Sequence, residues 1–354
     1  MPPAFDCIVV GCHLRYDGVW QRPQQILSRL ARHVPVTIVE EPFLAAHEGE
    51  HRENYGHLRV VRPLRTSFDA PPVDERTIES VRAWVGERRP LVWLYSPMML
   101  ALADAFPGAP LVYDCMDELA AFAFAPAEMK QRETDLLDRA CLVFAGGRSL
   151  YEARAYLGPK VKLYPSGVEF DHFARAASMR PHALFGHLPR PVYGYFGVID
   201  ERLDLDVLDA LAATDAQTVM IGPVAKIDPK VLPRRSNVHF TGAVDYATLP
   251  SFLAGFDVAL LPFARNAATA NISPTKTPEY LAGGKPVVST PIADVVTDWG
   301  DVVTIAESPE AFAAECAQAA ATPDLKRSAQ AKERARHASW DAIVNRMWHD
   351  LKTA

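Results

Sequence analysis

The sequence predicts an α/β chain built from two parallel-sheet domains. Three observations carry that prediction. Short β-branched apolar runs alternate with amphipathic stretches of helical period, the alternation halts over a Pro- and Gly-containing stretch and then starts again, and 354 residues suit two domains of about 100 to 200 residues each. Two such series amount to two Rossmann-like domains, with the joint expected within 165–190. We place the first domain at 1–178 and the second at 188–335, with a terminal helix over 338–354 packing back on the first.

Taken in order, FDCIVVGC (5–12) reads as a strand and WQRPQQILSRLA as a helix. Pro23 suits its first turn, and Ile26, Leu27, Leu30 and Ala31 recur at the spacing of a core-facing stripe. VPVTIVEEP then supplies a second strand, and a strand–helix–strand unit implies parallel pairing. Further strands are expected within 90–97, 109–118, 141–147 and 161–167, with a helix at 127–139; residues 45–80, rich in Pro, His and Arg, receive no element. After YPSGVEFDHFARAASMRPHALFGHLPRP the series resumes with strands within 192–199, 218–224, 237–244, 257–263 and 287–290 and helices near 205–213 and 247–254. In SWDAIVNRMWHDL, Trp340, Ile343, Val344, Met347 and Leu351 form one stripe.

Composition narrows the function classes. Hydrophobic residues at 49% and charged residues at 23% are ordinary for full globular cores, and a net charge of −6 argues against a general nucleic-acid binder, so no nucleic-acid partner is expected. Cys7, Cys12, Cys115, Cys141 and Cys316 are odd in number, scattered and without CxxC spacing, which suggests neither a disulfide framework nor a zinc site. No apolar run approaches the roughly 18 to 20 residues of a membrane span, and FDCIVVGC lacks the basic start of a signal peptide. A cytoplasmic protein is expected.

The segment NISPTKTPEYLAGGKPVVST (271–290) carries the most chemistry. Ser273 and Thr277 are good N-caps and Pro274 and Pro278 suit a first helical position, so a helix is expected to start at one of these two points. Free N–H groups around Ser273 to Thr277, with the Lys276 ammonium beside them, would make an anion site. Glu279, one turn on, could accept hydrogen bonds from the vicinal hydroxyls of a ribose; diphosphate and ribose together describe a nucleotide diphosphate sugar. An ordinary capped helix with a dipole-compatible Glu is the plainer alternative. In the first domain Asp114 and Asp117 follow a buried strand, which places them at the carboxyl edge of a parallel sheet, where ligands of such folds collect. The loop GCHLRYDGVWQRP has Gly11 and Gly18 but no GxGxxG, so the nicotinamide fingerprint is absent; His13, Asp17 and Arg22 are candidates to line a cleft, while Trp20 suits packing.

TGAVDYATLPSFLAGFDVALLPF followed by SPTKTPEYLAGGKPVVST resembles the donor half of GT-B glycosyltransferases of the group-one, family-four type, especially bacterial surface-polysaccharide enzymes of the teichuronic-acid kind. WQRPQQILSRLA, YDCMDE and YPSGVEFDHF are similar to the same group, so the resemblance covers nearly the whole chain. It implies two Rossmann-like domains facing across a cleft that holds the site, and transfer of a sugar from a UDP- or GDP-sugar to a hydroxyl acceptor, with no cofactor. The acceptor would be a sugar or a lipid-linked glycan, which leaves peripheral association with the inner face of a membrane open.

The resemblance also assigns residues. Glu279 matches the acid that holds the ribose, and a second acid eight residues earlier addresses the donor sugar; Asn271 stands there instead, able to donate and accept. Ser273, Thr275, Val244 and Gly222 complete the implied donor contacts. The family's Arg and Lys pair after the first strand of the second domain is reduced to Arg202 in GVIDERLDLD, so Arg202 and Lys276 are expected to share the departing diphosphate, where charge develops. Asp117 stands near the family's acceptor-side histidine and would orient or deprotonate the acceptor hydroxyl, or else cap the next helix; His13, Asp17, Gly18, Arg22 and Asp114 are the further acceptor-side candidates. Asp204-Leu205-Asp206 imitates a DxD metal motif, but at the start of an amphipathic helix it reads as an N-cap, so no metal is expected. Retention of configuration, by front-face attack assisted by the departing diphosphate, is implied as well. Two other classes remain open: a GT-B epimerase acting on the nucleotide sugar, and a non-catalytic sugar-nucleotide-binding partner.

Overall fold

The computed structural model describes residues 4–67, 71–122 and 125–353. The chain divides into two compact units, Met1–Pro165 with Trp340–Ala354 and Ser166–Ser339. Each has its own sheet.

The first sheet contains β1 (Cys7–Cys12), β2 (Val36–Glu40), β3 (Phe43–Leu44), β4 (Gly49–Tyr55), β5 (Leu58–Arg65), β6 (Pro90–Leu94), β7 (Leu111–Cys115), β8 (Leu142–Ala145) and β9 (Val161–Leu163). Its order is β3-β5-β2-β1-β6-β7-β8-β9, all parallel, with β4 pairing antiparallel to β5. β1, β2 and β7 are buried along their whole length, as expected of strands covered on both faces. The 45–80 stretch holds the β4–β5 hairpin, joined at Gly56 with φ +65, and the helix Glu75–Val85; β4 is polar and largely exposed, so it offered no apolar alternation to read.

The second sheet contains β10 (Val192–Phe196), β11 (Gln217–Ile221), β12 (Val238–Phe240), β13 (Val258–Leu261), β14 (Val287–Ser289) and β15 (Thr304–Ile305) in the order β12-β11-β10-β13-β14-β15, all parallel. Numbered within the sheet this is 3-2-1-4-5-6, the doubly wound order. The strand order reverses at β10, between β10 and β13, and in such folds ligands collect at the carboxyl ends of the strands beside that switch point.

Residues 166–178, expected in the first domain, belong to the second unit. Val168, Phe170, Phe173 and Ala176 are buried in its core, and Val168 bridges to Ser339. The helix Trp340–Thr353 lies in the first unit, where Trp340, Ile343, Val344, Met347 and Leu351 share a core with Ile26, Leu27 and Leu30 of the helix Arg22–Leu30. Arg29 of that helix donates to Asp341 at 3.1 Å. No helix among the described residues is long and apolar enough to cross a membrane.

Candidate functional site

At the carboxyl end of β10 the backbone runs through Gly197 at φ +145, and β11 ends at Gly222 with φ +138. Both conformations favour glycine, and both positions are closely approached. A Cβ on Gly197 would stand 2.1 Å from Lys276 Cε and 2.6 Å from its Nζ; one on Gly222 would stand 2.0 Å from the Gly197 carbonyl oxygen. The Lys276 ammonium therefore lies against bare backbone at the switch point, 5.6 Å from the centroid of the buried Tyr195 ring. Sequence reasoning missed Gly197. A glycine directly after each of two strands, in YFGVI and MIGPV, was the available signal.

The helix that carries Lys276 spans Lys276–Ala282. Neither Ser273 nor Thr277 caps it, contrary to expectation: Thr275 occupies the N-cap position without a side-chain bond, and Thr277 is fully buried inside the first turn. Thr277 N–H donates to Pro274 O at 3.1 Å, and Pro278, which follows it, has no N–H. The helix is seated by Tyr280, whose hydroxyl accepts from Phe196 N–H at 3.0 Å and whose ring meets Phe196 edge-on. Gly284 at φ +73 ends it, and a Cβ on Gly283 would stand 2.3 Å from Leu253, which accounts for the glycine pair before β14.

Glu279 is buried on the same helix. Burial pushes its carboxyl up to about 8, Lys276 opposes the rise and Glu169 adds to it. A buried carboxyl with a raised pKa and one cationic neighbour is a functional-site signature. Asn271 and Ser273 are half-buried in the stretch leading to this helix. Val244 lines a separate feature of the second unit, a cavity of about 650 Å³ with His182, His239, Phe240 and Phe252.

Arg202 is not an isolated cation. Its Nε and NH2 donate to the Asp200 carboxylate at 3.0 and 2.7 Å, so its charge is already paired. Asp204 accepts from Val207 N–H at 3.1 Å as the N-cap of the helix Leu205–Ala212. Among the described residues no cluster of His, Cys, Asp and Glu is arranged to hold a metal ion.

In the first unit the expected acceptor-side residues separate into two groups. Arg22 and Asp114 are buried together, at 3% and 0% exposure, with Arg22 NH2 donating to Asp114 Oδ1 at 2.8 Å and Arg22 NH1 to Tyr164 O at 2.7 Å. Burial pushes the Asp114 carboxyl up while Arg22 opposes it. Both of these acceptor-side candidates are thus buried inside the unit and paired with one another. The other group sits on the loop after β1, where His13 is half-buried and Asp17 and Gly18 are exposed; Gly18 N–H closes a turn onto Arg15 O. Glu40, fully buried at the end of β2, anchors that loop: it accepts from Tyr16 N–H at 2.7 Å, Arg15 at 3.2 Å and Arg62 at 2.6 Å, and Arg62 also meets Asp17 at 3.1 Å. Asp117 is half-buried after β7; the next turn, Leu119–Ala121, has Glu118 at its N-cap position, and the next α-helix starts at Met129. Glu118 is held by Arg154 at 3.0 Å.

Residues 192–322 match the family described as Glycosyl transferases group 1. The chain is 27% identical over 239 residues to a protein of Bacillus subtilis (strain 168) named as the teichuronic acid biosynthesis glycosyltransferase TuaH. That match spans 62% of this chain and 59% of the relative's length. Two solved structures share the whole fold: the sucrose-phosphate synthase of Thermosynechococcus elongatus, at 15% identity and a TM-score of 0.74 over 97% of this chain and 98% of that one, and Anabaena Alr3699/HepE, solved in complex with UDP and glucose, at 15% identity and 0.73 over 99% and 100%. The fold is of the GT-B type, two Rossmann-like parallel-sheet units.

Proposed function

We propose that the chain transfers a sugar from a nucleotide diphosphate donor to a hydroxyl acceptor in the synthesis of a bacterial polysaccharide or glycoconjugate. One observation carries the reading: Lys276 packed on the glycine backbone at the switch point of the second sheet, with buried Glu279 one turn further on the same helix. An ammonium at that edge suits a diphosphate, and a carboxyl three residues on suits the paired hydroxyls of a ribose. The group 1 domain over 192–322 and the UDP held by HepE support a UDP- or GDP-sugar donor.

The chemistry then asks little of the protein beyond placement and charge. Breaking the bond between the anomeric carbon and the diphosphate leaves negative charge on the departing oxygen, and Lys276 with Arg202 would meet it there without a metal ion. Attack on the same face as the departing diphosphate, with retention, is the course this reading favours. Asn271 and Ser273 would address the donor sugar. In the first unit Asp117 is the acceptor-side group, taking the proton of the attacking hydroxyl, with His13 and Asp17 on the neighbouring loop.

Titration calorimetry with UDP and GDP tests the donor half. Glu279→Ala and Lys276→Ala should each weaken binding by at least about tenfold, since a hydrogen bond to a charged group contributes roughly 1.5 to 3 kcal/mol. Unchanged affinity in both variants overturns the assignment.

A further inference from the structure

Asp200, the carboxylate that pairs with Arg202, has no part in the donor reading above. Asp200 is 5% exposed, and its carboxylate accepts from Arg202 Nε at 3.0 Å, Arg202 NH2 at 2.7 Å and the Arg202 backbone N–H at 3.0 Å. The loop that carries both residues is held on its two sides. Ala225 N–H donates to Ile199 O at 3.0 Å, and on the other side Asp204 N–H donates to Pro262 O at 2.9 Å and Ala264 N–H to Arg202 O at 2.8 Å, with Leu203 and Phe263 bridged. The strands β11 and β13, which flank β10, therefore both lend their outgoing segments to this one loop. Tyr195 lies between the two cations: Lys276 is over its ring, its hydroxyl donates to Val198 O at 2.9 Å, and burial raises its phenol, with Arg202 opposing and Asp200 adding to the rise.

We propose that Asp200 is the positioning residue of this site, clamping the Arg202 guanidinium at the carboxyl end of β10 so that it meets the departing diphosphate in one fixed orientation. The inference rests on the donor reading given above. Two physical consequences follow from the clamp. An arginine side chain gives up rotamer entropy when it is held still, and here that cost is met during folding rather than during reaction. The pair is also close to neutral, so Arg202 adds directed hydrogen bonding more than long-range attraction. Removing the clamp should therefore harm the transition state more than nucleotide binding.

The test uses the full chain, with UDP-glucose and GDP-mannose as donor probes and release of UDP or GDP as the readout, together with calorimetric affinity for the same nucleotide. Asp200→Asn should lower kcat by at least about tenfold while nucleotide affinity stays within about threefold, the split expected of an interaction made in the transition state. Arg202→Ala should lower kcat as well, and the double variant should be no slower than Arg202→Ala alone, because both changes remove one interaction. If Arg202→Ala is slow and Asp200→Asn is not, the positioning role is wrong while the donor reading stands. If neither is slow, Arg202 does not serve the diphosphate, and the inference fails with that assignment. Losses that multiply in the double variant show Asp200 acting apart from Arg202 and also overturn it. Should Asp200→Asn not fold, Arg202→Lys decides: an ammonium cannot take the two-point clamp, so kcat should fall nearly as far as in Arg202→Ala, and wild-type turnover refutes the proposal.

Discussion

At the carboxyl edge of the first sheet, Arg22 and Asp114, and Arg62 and Glu40, are spent on one another, whereas at the same edge of the second sheet Lys276 lies on bare glycine backbone. The two sheets share the order 3-2-1-4-5-6 through their common strands, so topology does not explain the contrast. Side-chain supply does. Among the described residues of the first unit the buried arginines Arg22, Arg29, Arg62, Arg65 and Arg154 each have a carboxylate at 2.6 to 3.1 Å, and such contacts tie together segments far apart in sequence: Arg22 links the start of a helix to β7 and to Tyr164, and the Tyr164 hydroxyl bonds Asp350 on the terminal helix at 2.8 Å. In the second unit Gly197 and Gly222 remove the side chains that would fill the edge, and a lysine from the next crossover enters. The contrast is set by residues on a shared scaffold rather than by the fold, and on the proposed reading the second edge receives an anion where the first holds its unit together.

The largest expected effect breaks the first half of this comparison. Arg22→Ala leaves Asp114 buried without its cation, and losing one partner of a buried pair costs about 3 to 5 kcal/mol. The melting temperature should drop steeply or the protein should fail to accumulate. A stable Arg22→Ala protein that has lost only turnover would return Arg22 to the reaction.

Next in size is Gly197→Ala, which attacks the second half. The added methyl would collide with Lys276 Cε in a backbone conformation that non-glycine residues adopt at a cost of about 1 to 3 kcal/mol. Nucleotide affinity should fall at least as far as in Lys276→Ala, with a smaller loss of stability than in Arg22→Ala, and calorimetry with thermal melts on the same preparation reads both. Wild-type affinity would show that the ammonium does not need its place against Gly197.

How far the sequence could be read follows the same division. The alternating series, the restart after 165–190 and the stripe on 340–351 are local patterns, and local patterns survive in one dimension. So did the segment 271–290, because its Pro, Lys and Glu spacing is itself short-range. The pairing of Arg22 with Asp114 spans 92 positions, and the seating of Lys276 on Gly197 depends on two loops that meet only once the sheet has formed. Residue types could be read, while their pairings could not: Arg22 and Asp114 read as acceptor-side candidates and are packed on one another, Arg202 read as sharing the diphosphate with Lys276 and is paired with Asp200, and Ser273 read as a candidate cap and is not one. The hairpin within 45–80 was illegible for a different reason, since a polar edge strand carries no alternation.

A third expectation uses pH to sharpen the contrast. In the free protein Glu279 holds its proton up to about 8, and binding a ribose through two accepted hydrogen bonds favours the ionised form. Nucleotide binding should then release a proton, so affinity should rise between pH 6 and pH 8 and level off above. The same group makes the unliganded protein more stable below the ordinary carboxyl range, a contribution lost as pH rises through about 8, because the folded state binds the proton more tightly than the unfolded one. Glu279→Gln should flatten both profiles, and a pH dependence that persists in the variant would assign it elsewhere.

The smallest effect is expected at Asp204. Its side chain accepts from Val207 N–H at 3.1 Å and so belongs with the structural carboxylates that the first unit uses freely. If that is its whole role, Asp204→Ala should cost about 1 kcal/mol, the usual loss of an N-cap, while donor turnover and nucleotide affinity stay at wild-type values. The companion measurement is turnover in excess chelator, which should be unchanged if the diphosphate is met by Lys276 and Arg202. A site that loses activity on both treatments and regains it with Mg or Mn would make Asp204 and Asp206 ligands, and the second edge would then receive its anion through a cation it recruits rather than through one supplied by the chain.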